Sequence, residues 1–126
     1  MAATEGLLRA RWVHVTFAFI AMGGWTLFAN RAHGADALAP AVVQGLVSAV
    51  ITAILKGVLD RLAGRFPGVA AYILPPLITA SAVLAALIAI HRAIGTPELV
   101  QTTAVPWSVS TLYAILYAAD LERRRR

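Results

Sequence analysis

The segment AVVQGLVSAVITAILKGVLD, Ala41–Asp60, decides how the rest of the chain is read. From Ala37 to Leu55 there is no Asp, Glu, Lys or Arg for 19 residues, close to the roughly 20 apolar residues an α-helix needs to cross a hydrocarbon core. The segment lacks the in-out alternation of a membrane barrel strand, and in lipid a stretch of this length satisfies its own backbone hydrogen bonds as a helix. Three more charge-free windows surround it: Trp12–Asn30 (19 residues), Phe66–His91 (26) and Leu99–Ala119 (21). Of the 126 residues 60% are hydrophobic and 13% charged, against about 45–50% and 25% in soluble domains. The predicted architecture is an all-α integral membrane four-helix bundle, a single transmembrane domain over 1–126 with spans at about 12–29, 41–59, 69–90 and 102–119. The polar remainder is too short for a soluble catalytic module, because independent domains start near 50 residues.

Charge placement orients the expected spans. Arg9, Arg11, Lys56, Arg61, Arg65 and Arg123, Arg124, Arg125 and Arg126 cluster at one end of the expected bundle, and only Arg31 and Arg92 fall in the gaps at the other end. Lys and Arg are retained on the cytoplasmic side during insertion, so this partition predicts both termini inside and a multi-pass protein of the bacterial inner membrane. The net charge of +5 has that explanation rather than nucleic-acid binding, since the basic residues have no soluble face on which to form a groove-sized patch. The gaps "NRAHGADALAP", "DRLAGRFPG" and "HRAIGTPEL" carry turn residues and are short, which makes neighbouring helices antiparallel. Arg9, Arg11 and the small-residue string at Ala35–Ala37 have the look of a cleavable signal peptide, but an apolar stretch near 17 residues exceeds the usual h-region, and a retained helix is expected.

Sliding the chain by 61 residues lays "NRAHG" (Asn30–Gly34) over "HRAIG" (His91–Gly95) and Ala53–Leu55 over Ala114–Leu116. The matches fall at equivalent topological points and predict two parallel helical-hairpin repeats, related by an axis along the membrane normal. Within the second span, Gln44, Ser48, Thr52, Lys56 and Asp60 recur at four-residue spacing, and Gly45, Ala49, Ala53 and Gly57 run beside them. The small residues allow close helix approach, and the polar ones hydrogen-bond across such contacts, so packing is one reading of both stripes; a polar track facing a cavity is the other. Ser81, Ala85, Ala89 and Ala93 form a second small stripe in span three.

Lys56 either snorkels to the surface and pairs with Asp60 one turn on, or faces the bundle as a counter-charge for an anionic substrate. The 61-residue offset brings Tyr113 and Tyr117 opposite Thr52 and Lys56. At the far end Asn30, Arg31 and His33 match His91 and Arg92. Guanidinium forks bind phosphate through two parallel hydrogen bonds, so these arginines either grip a lipid headgroup phosphate together or anchor helix ends. His14 reads as a structural histidine. The chain has no cysteine, no glycine-rich phosphate loop, no His–Glu metal spacing and no serine with an adjacent base, so neither an enzyme nor a resident cofactor or metal is expected.

Four short spans, inward termini and the basic ends "KGVLDRLAGRF" and "YAADLERRRR" resemble the GtrA-like family of small membrane proteins, which is associated with moving polyprenyl-linked sugars. That family tends to finish its even helices with an Asn, basic and aromatic cluster; the two ends here contain no Asn, so no family site is carried over. With the polar stripe, Lys56 and the outer arginines, the first expectation is a transporter or flippase-like component for an anionic, lipid-linked substrate. Its groove would lie between spans two and four, lined by Gln44, Ser48, Thr52, Lys56, Tyr113 and Tyr117, with Arg31, His33, His91 and Arg92 holding the headgroup. The competing expectation is a non-transporting accessory or assembly subunit, docked through its small-residue faces to a second copy in a parallel homodimer or to a larger membrane complex. A water-accessible cavity at the polar stripe favours the first, a dry helix contact the second.

Overall fold

A computed structural model describes the backbone of residues 2–126 and the side chains from residue 10 onward, so Arg9, counted above among the basic residues, lies outside the described side chains. Four helices follow one another: α1 (Ala2–Ala29), α2 (Leu38–Leu62), α3 (Ala70–Ala93) and α4 (Leu99–Arg125), with a 3-10 segment, Arg31–Ala37, between the first two. Among the described residues there is no strand. The 3-10 segment with α2, together with α1 and α3, are long and apolar enough to cross a membrane. α4 has the length but is more polar, because Gln101, Thr102, Thr103, Ser108, Ser110 and Thr111 fall in its first half.

The helices overrun the expected spans because nothing in their ends stops them. At the C-terminus of α4, Asp120 pairs with Arg124 at 2.7 Å, one turn on, which supports continued helix. The stops themselves are local. Gly95 takes a φ of 72°, Gly95 N–H donates to Arg92 O and Thr96 N–H to His91 O at 2.9 Å. This is a Schellman cap, in which a left-handed glycine folds the chain back over the last helical turn. Pro75 and Pro76 sit inside α3, with the Thr79 hydroxyl donating to the carbonyls of Pro75 and Pro76 at 3.1 and 3.2 Å.

Consecutive helices run antiparallel, and α1 packs chiefly on α2 and α3 chiefly on α4, so the chain is two helical hairpins side by side. α2 touches all three other helices and so does α4, which makes α2–α4 the short diagonal of the bundle. Both chain termini and the α2–α3 turn lie at one end, here the terminal end; the 3-10 segment and the α3–α4 turn lie at the other, the loop end.

The interior inverts the pattern of a soluble protein. Its buried apolar residues are few and mostly small, including Ala37, Ala71, Ala80, Ala114 and Ala118, while Trp12, Phe17, Ile20, Val42, Leu46 and Val50 are among many large hydrophobics turned outward. Thr26, Asn30, Gln44, His91 and Thr102 are fully buried instead. Small residues let α1 and α2 approach closely: a Cβ added to Gly23 would stand 3.1 Å from Ala41 O, and one on Gly45 would meet the Phe19 ring at 3.0 Å.

Candidate functional site

Two polar clusters lie at opposite ends of the bundle. At the loop end the Schellman cap of α3 carries Thr96 back to His91, and its hydroxyl reaches Nδ1 at 2.7 Å. The other ring nitrogen, Nε2, meets Gln44 Oε1 of α2 at 2.7 Å, and Gln44 Nε2 donates to Ser48 Oγ at 2.7 Å. An amide oxygen only accepts, so the imidazole proton resides on Nε2 and Nδ1 accepts from Thr96. This chain of bonds is sealed: His91 and Gln44 are fully buried, Ser48 and Thr96 nearly so.

Beside it, Asn30 closes α1 against the start of α4. Its Nδ2 donates to Thr102 Oγ1 at 2.7 Å and to Thr26 O at 2.9 Å, and its Oδ1 accepts the Glu98 N–H at 2.9 Å. Asn30 and His91, which the 61-residue offset superimposes, thus do corresponding jobs: each ends an odd helix and bonds to an even helix of the other hairpin. His33 reaches Glu98 at 3.0 Å and Trp25 Nε1 donates to Gln101 O at 2.8 Å, so five side-chain bonds tie the hairpins together at this end among the described residues.

At the terminal end Lys56 and Asp60 form the one-turn pair at 3.1 Å, Tyr117 donates its hydroxyl to the other Asp60 oxygen at 2.5 Å, and the Lys56 ammonium stands 5.4 Å from the Tyr117 ring centroid. Tyr113 stacks on Tyr117 with centroids 5.6 Å apart. Lys56, Asp60 and Tyr113 are exposed and Tyr117 is half-buried.

The structure therefore divides the ten residues singled out in the sequence. Gln44, Ser48 and His91 join in the buried loop-end network. Lys56, Tyr113 and Tyr117 meet at the terminal end, while Thr52 is exposed between the two groups. The polar stripe of α2 splits because four-residue spacing overshoots a helical turn by roughly 40° each step, so Gln44 faces the core and Lys56 has rotated out of it. Between the clusters the α2–α4 seam is filled by Leu55, Leu59 and Ala114, with Ile51 and Tyr117 packed against them. Arg31 lies across the Phe28 ring at 4.0 Å from its centroid and lines a cleft of about 350 Å³ with Trp25, Glu98 and Gln101; Arg92 is exposed and does not line it. A second groove, about 400 Å³ and wholly apolar, runs between α2 and α3 past Val50, Ile54, Val83 and Ala86. His14 is exposed on α1.

Thr26, Thr96, Glu98 and Thr102 hold the network together and escaped the sequence reading, although Thr26 lies one turn before Asn30 and Thr96 directly follows the capping Gly95. No family model matches the chain, and no curated protein or solved structure matches it significantly, so the resemblance to the GtrA-like family stays one of expected topology.

Proposed function

We propose that the chain is an integral membrane protein with both termini cytoplasmic that serves as a non-transporting subunit, a sealed helical unit presenting its outer faces to another membrane helix. The inside-out distribution supports the membrane setting: large hydrophobics point outward and polar side chains inward. The single observation that carries the subunit role is the Ser48–Gln44–His91–Thr96 chain, in which the first half of the α2 polar stripe is engaged in buried hydrogen bonds rather than facing a cavity. Ser81, Ala85, Ala89 and Ala93 stay exposed along α3, a small-residue face that a further helix can approach closely.

The transporter reading keeps one specific observation in its favour. Side-chain bonds between the hairpins are concentrated at the loop end, whereas at the terminal end Tyr117 to Asp60 is the bond that joins them among the described residues. Hairpins fastened at one end could part at the other around Lys56 and the stacked tyrosines. Reconstitution separates the two. In vesicles holding fluorescent phospholipids or a polyprenyl-phosphate analogue, the subunit reading expects transbilayer movement at the rate of protein-free vesicles. Accelerated movement of either probe overturns it in favour of transport.

A further inference from the structure

The cleft at the loop end presents two opposite charges that do not neutralise each other. Arg31 enters it from the end of α1 and Glu98 from the start of α4. Arg31 Nη1 donates to Phe28 O at 2.8 Å and its guanidinium rests on the Phe28 ring, which fixes the fork while leaving most of its five N–H donors unused. Glu98 Oε1 is held by His33 at 3.0 Å, and Oε2 makes no bond among the described residues. Trp25, pinned by its Nε1 bond to Gln101 O, and Phe28 form an aromatic wall with centroids 5.8 Å apart. Phe28 and Leu27 continue from the cleft onto the exposed apolar side of α1.

We propose that this cleft binds the headgroup of a zwitterionic phospholipid, one carrying a phosphate and a primary ammonium. The phosphate takes the free donors of Arg31 in the two-bond geometry that a guanidinium offers and an ammonium does not. The lipid's ammonium lies against the free oxygen of Glu98 and beside the Trp25 ring, the Phe28 face being covered by Arg31. Phosphatidylglycerol gains the same Arg31 contact but offers the Glu98 carboxylate only a neutral glycerol in place of an ammonium, so the pair of charges selects a dipolar head. The neighbouring exposed Phe28 and Leu27 supply apolar surface for the start of an acyl chain. The inference rests on the membrane setting but is independent of whether the protein transports.

The test is native mass spectrometry of the purified protein after exchange into equal phosphatidylethanolamine and phosphatidylglycerol. The wild type should retain one phosphatidylethanolamine about tenfold over phosphatidylglycerol. Glu98→Gln keeps an acceptor for His33 and leaves the Glu98 N–H bond to Asn30 in place, so the fold survives; it should bring the two lipids to near-equal retention. Arg31→Gln should lower retention of both. Soluble phosphoethanolamine in large excess should lower phosphatidylethanolamine retention by the wild type, and no competition at all would overturn the headgroup as the ligand. No preference in the wild type, or an unchanged preference in both variants, overturns it. Failure of the membrane setting reads out separately, as release of the chain from membranes by alkaline carbonate without detergent.

Discussion

His91 Nε2 and Gln44 Oε1 lie 2.7 Å apart across 47 residues of sequence, fully buried, and that bond joins the end of α3 to the first half of α2. The contact is specific because each partner is held from behind, His91 by Thr96 and Gln44 by Ser48. Buried networks in which every member is satisfied fix one arrangement of their helices, and cutting a single link leaves polar atoms stranded.

Replacing either partner should therefore be costly, and replacing both less so than the sum. His91→Leu or Gln44→Leu strands a buried polar atom and is expected to lower stability by about 1–3 kcal/mol. A double-mutant cycle read by unfolding in mixed detergent micelles should give a coupling of roughly 0.6–1.7 kcal/mol, the range for hydrogen bonds between membrane helices. Strictly additive effects would remove the bond from the account.

The glycines of α1 and α2 separate close packing from mere composition. Gly23→Ala drives a Cβ to 3.1 Å from a backbone oxygen that cannot swing aside, and should destabilise the α1–α2 hairpin. Gly57 has nothing within 4 Å of an added Cβ, so Gly57→Ala should be neutral or stabilising by up to about 1 kcal/mol, the helix preference of Ala over Gly. Equal melting shifts for the two would contradict the packing described.

Self-association is expected along α3 rather than along the small stripe of α2, where Gly45 is already occupied by Phe19. Ala85→Leu and Ala89→Leu, both on exposed positions, should weaken a dimer without changing monomer stability. Cross-linking in membranes checks this; dimer yield equal to that of the wild type in both variants would rule that face out.

The orientation rests on the basic residues at the terminal end. Cysteines placed at the exposed Ala35 and Pro97 should react with a membrane-impermeant maleimide added to intact cells. Reaction only after the cells are opened would reverse the orientation.

Much of this architecture was readable from the charge-free windows, because they mark the apolar centre of each helix, although α1, α2 and α4 run on through charged residues beyond them. The pairing of "NRAHG" with "HRAIG" also superimposed the two residues, Asn30 and His91, that fasten the hairpins, though it offered His91 as a headgroup ligand and gave Asn30 no role, whereas both are buried ties. Which way they point depends on the turn that follows, and the Schellman cap that brings Thr96 to His91 is visible only in backbone dihedrals. The split of the α2 stripe was hidden for a related reason. Residues at four-residue spacing look like one face in the sequence, yet the drift of that face over several turns decides that Gln44 is enclosed and Lys56 exposed. The cleft at Arg31 and Glu98 joins residues 67 positions apart, and no local pattern links them.

The account depends most on the buried half of the α2 polar stripe, Gln44 and Ser48, being dry. Cysteine at position 48, nearly isosteric with the serine, measures this directly against a cysteine at the exposed Ala35 in folded protein in lipid bilayers. A small, water-soluble methanethiosulfonate should modify the Ala35→Cys variant readily and leave Ser48→Cys unmodified until the bundle is denatured. Modification of Ser48→Cys at a rate comparable to Ala35→Cys would place water in the seam and contradict a sealed, non-transporting bundle.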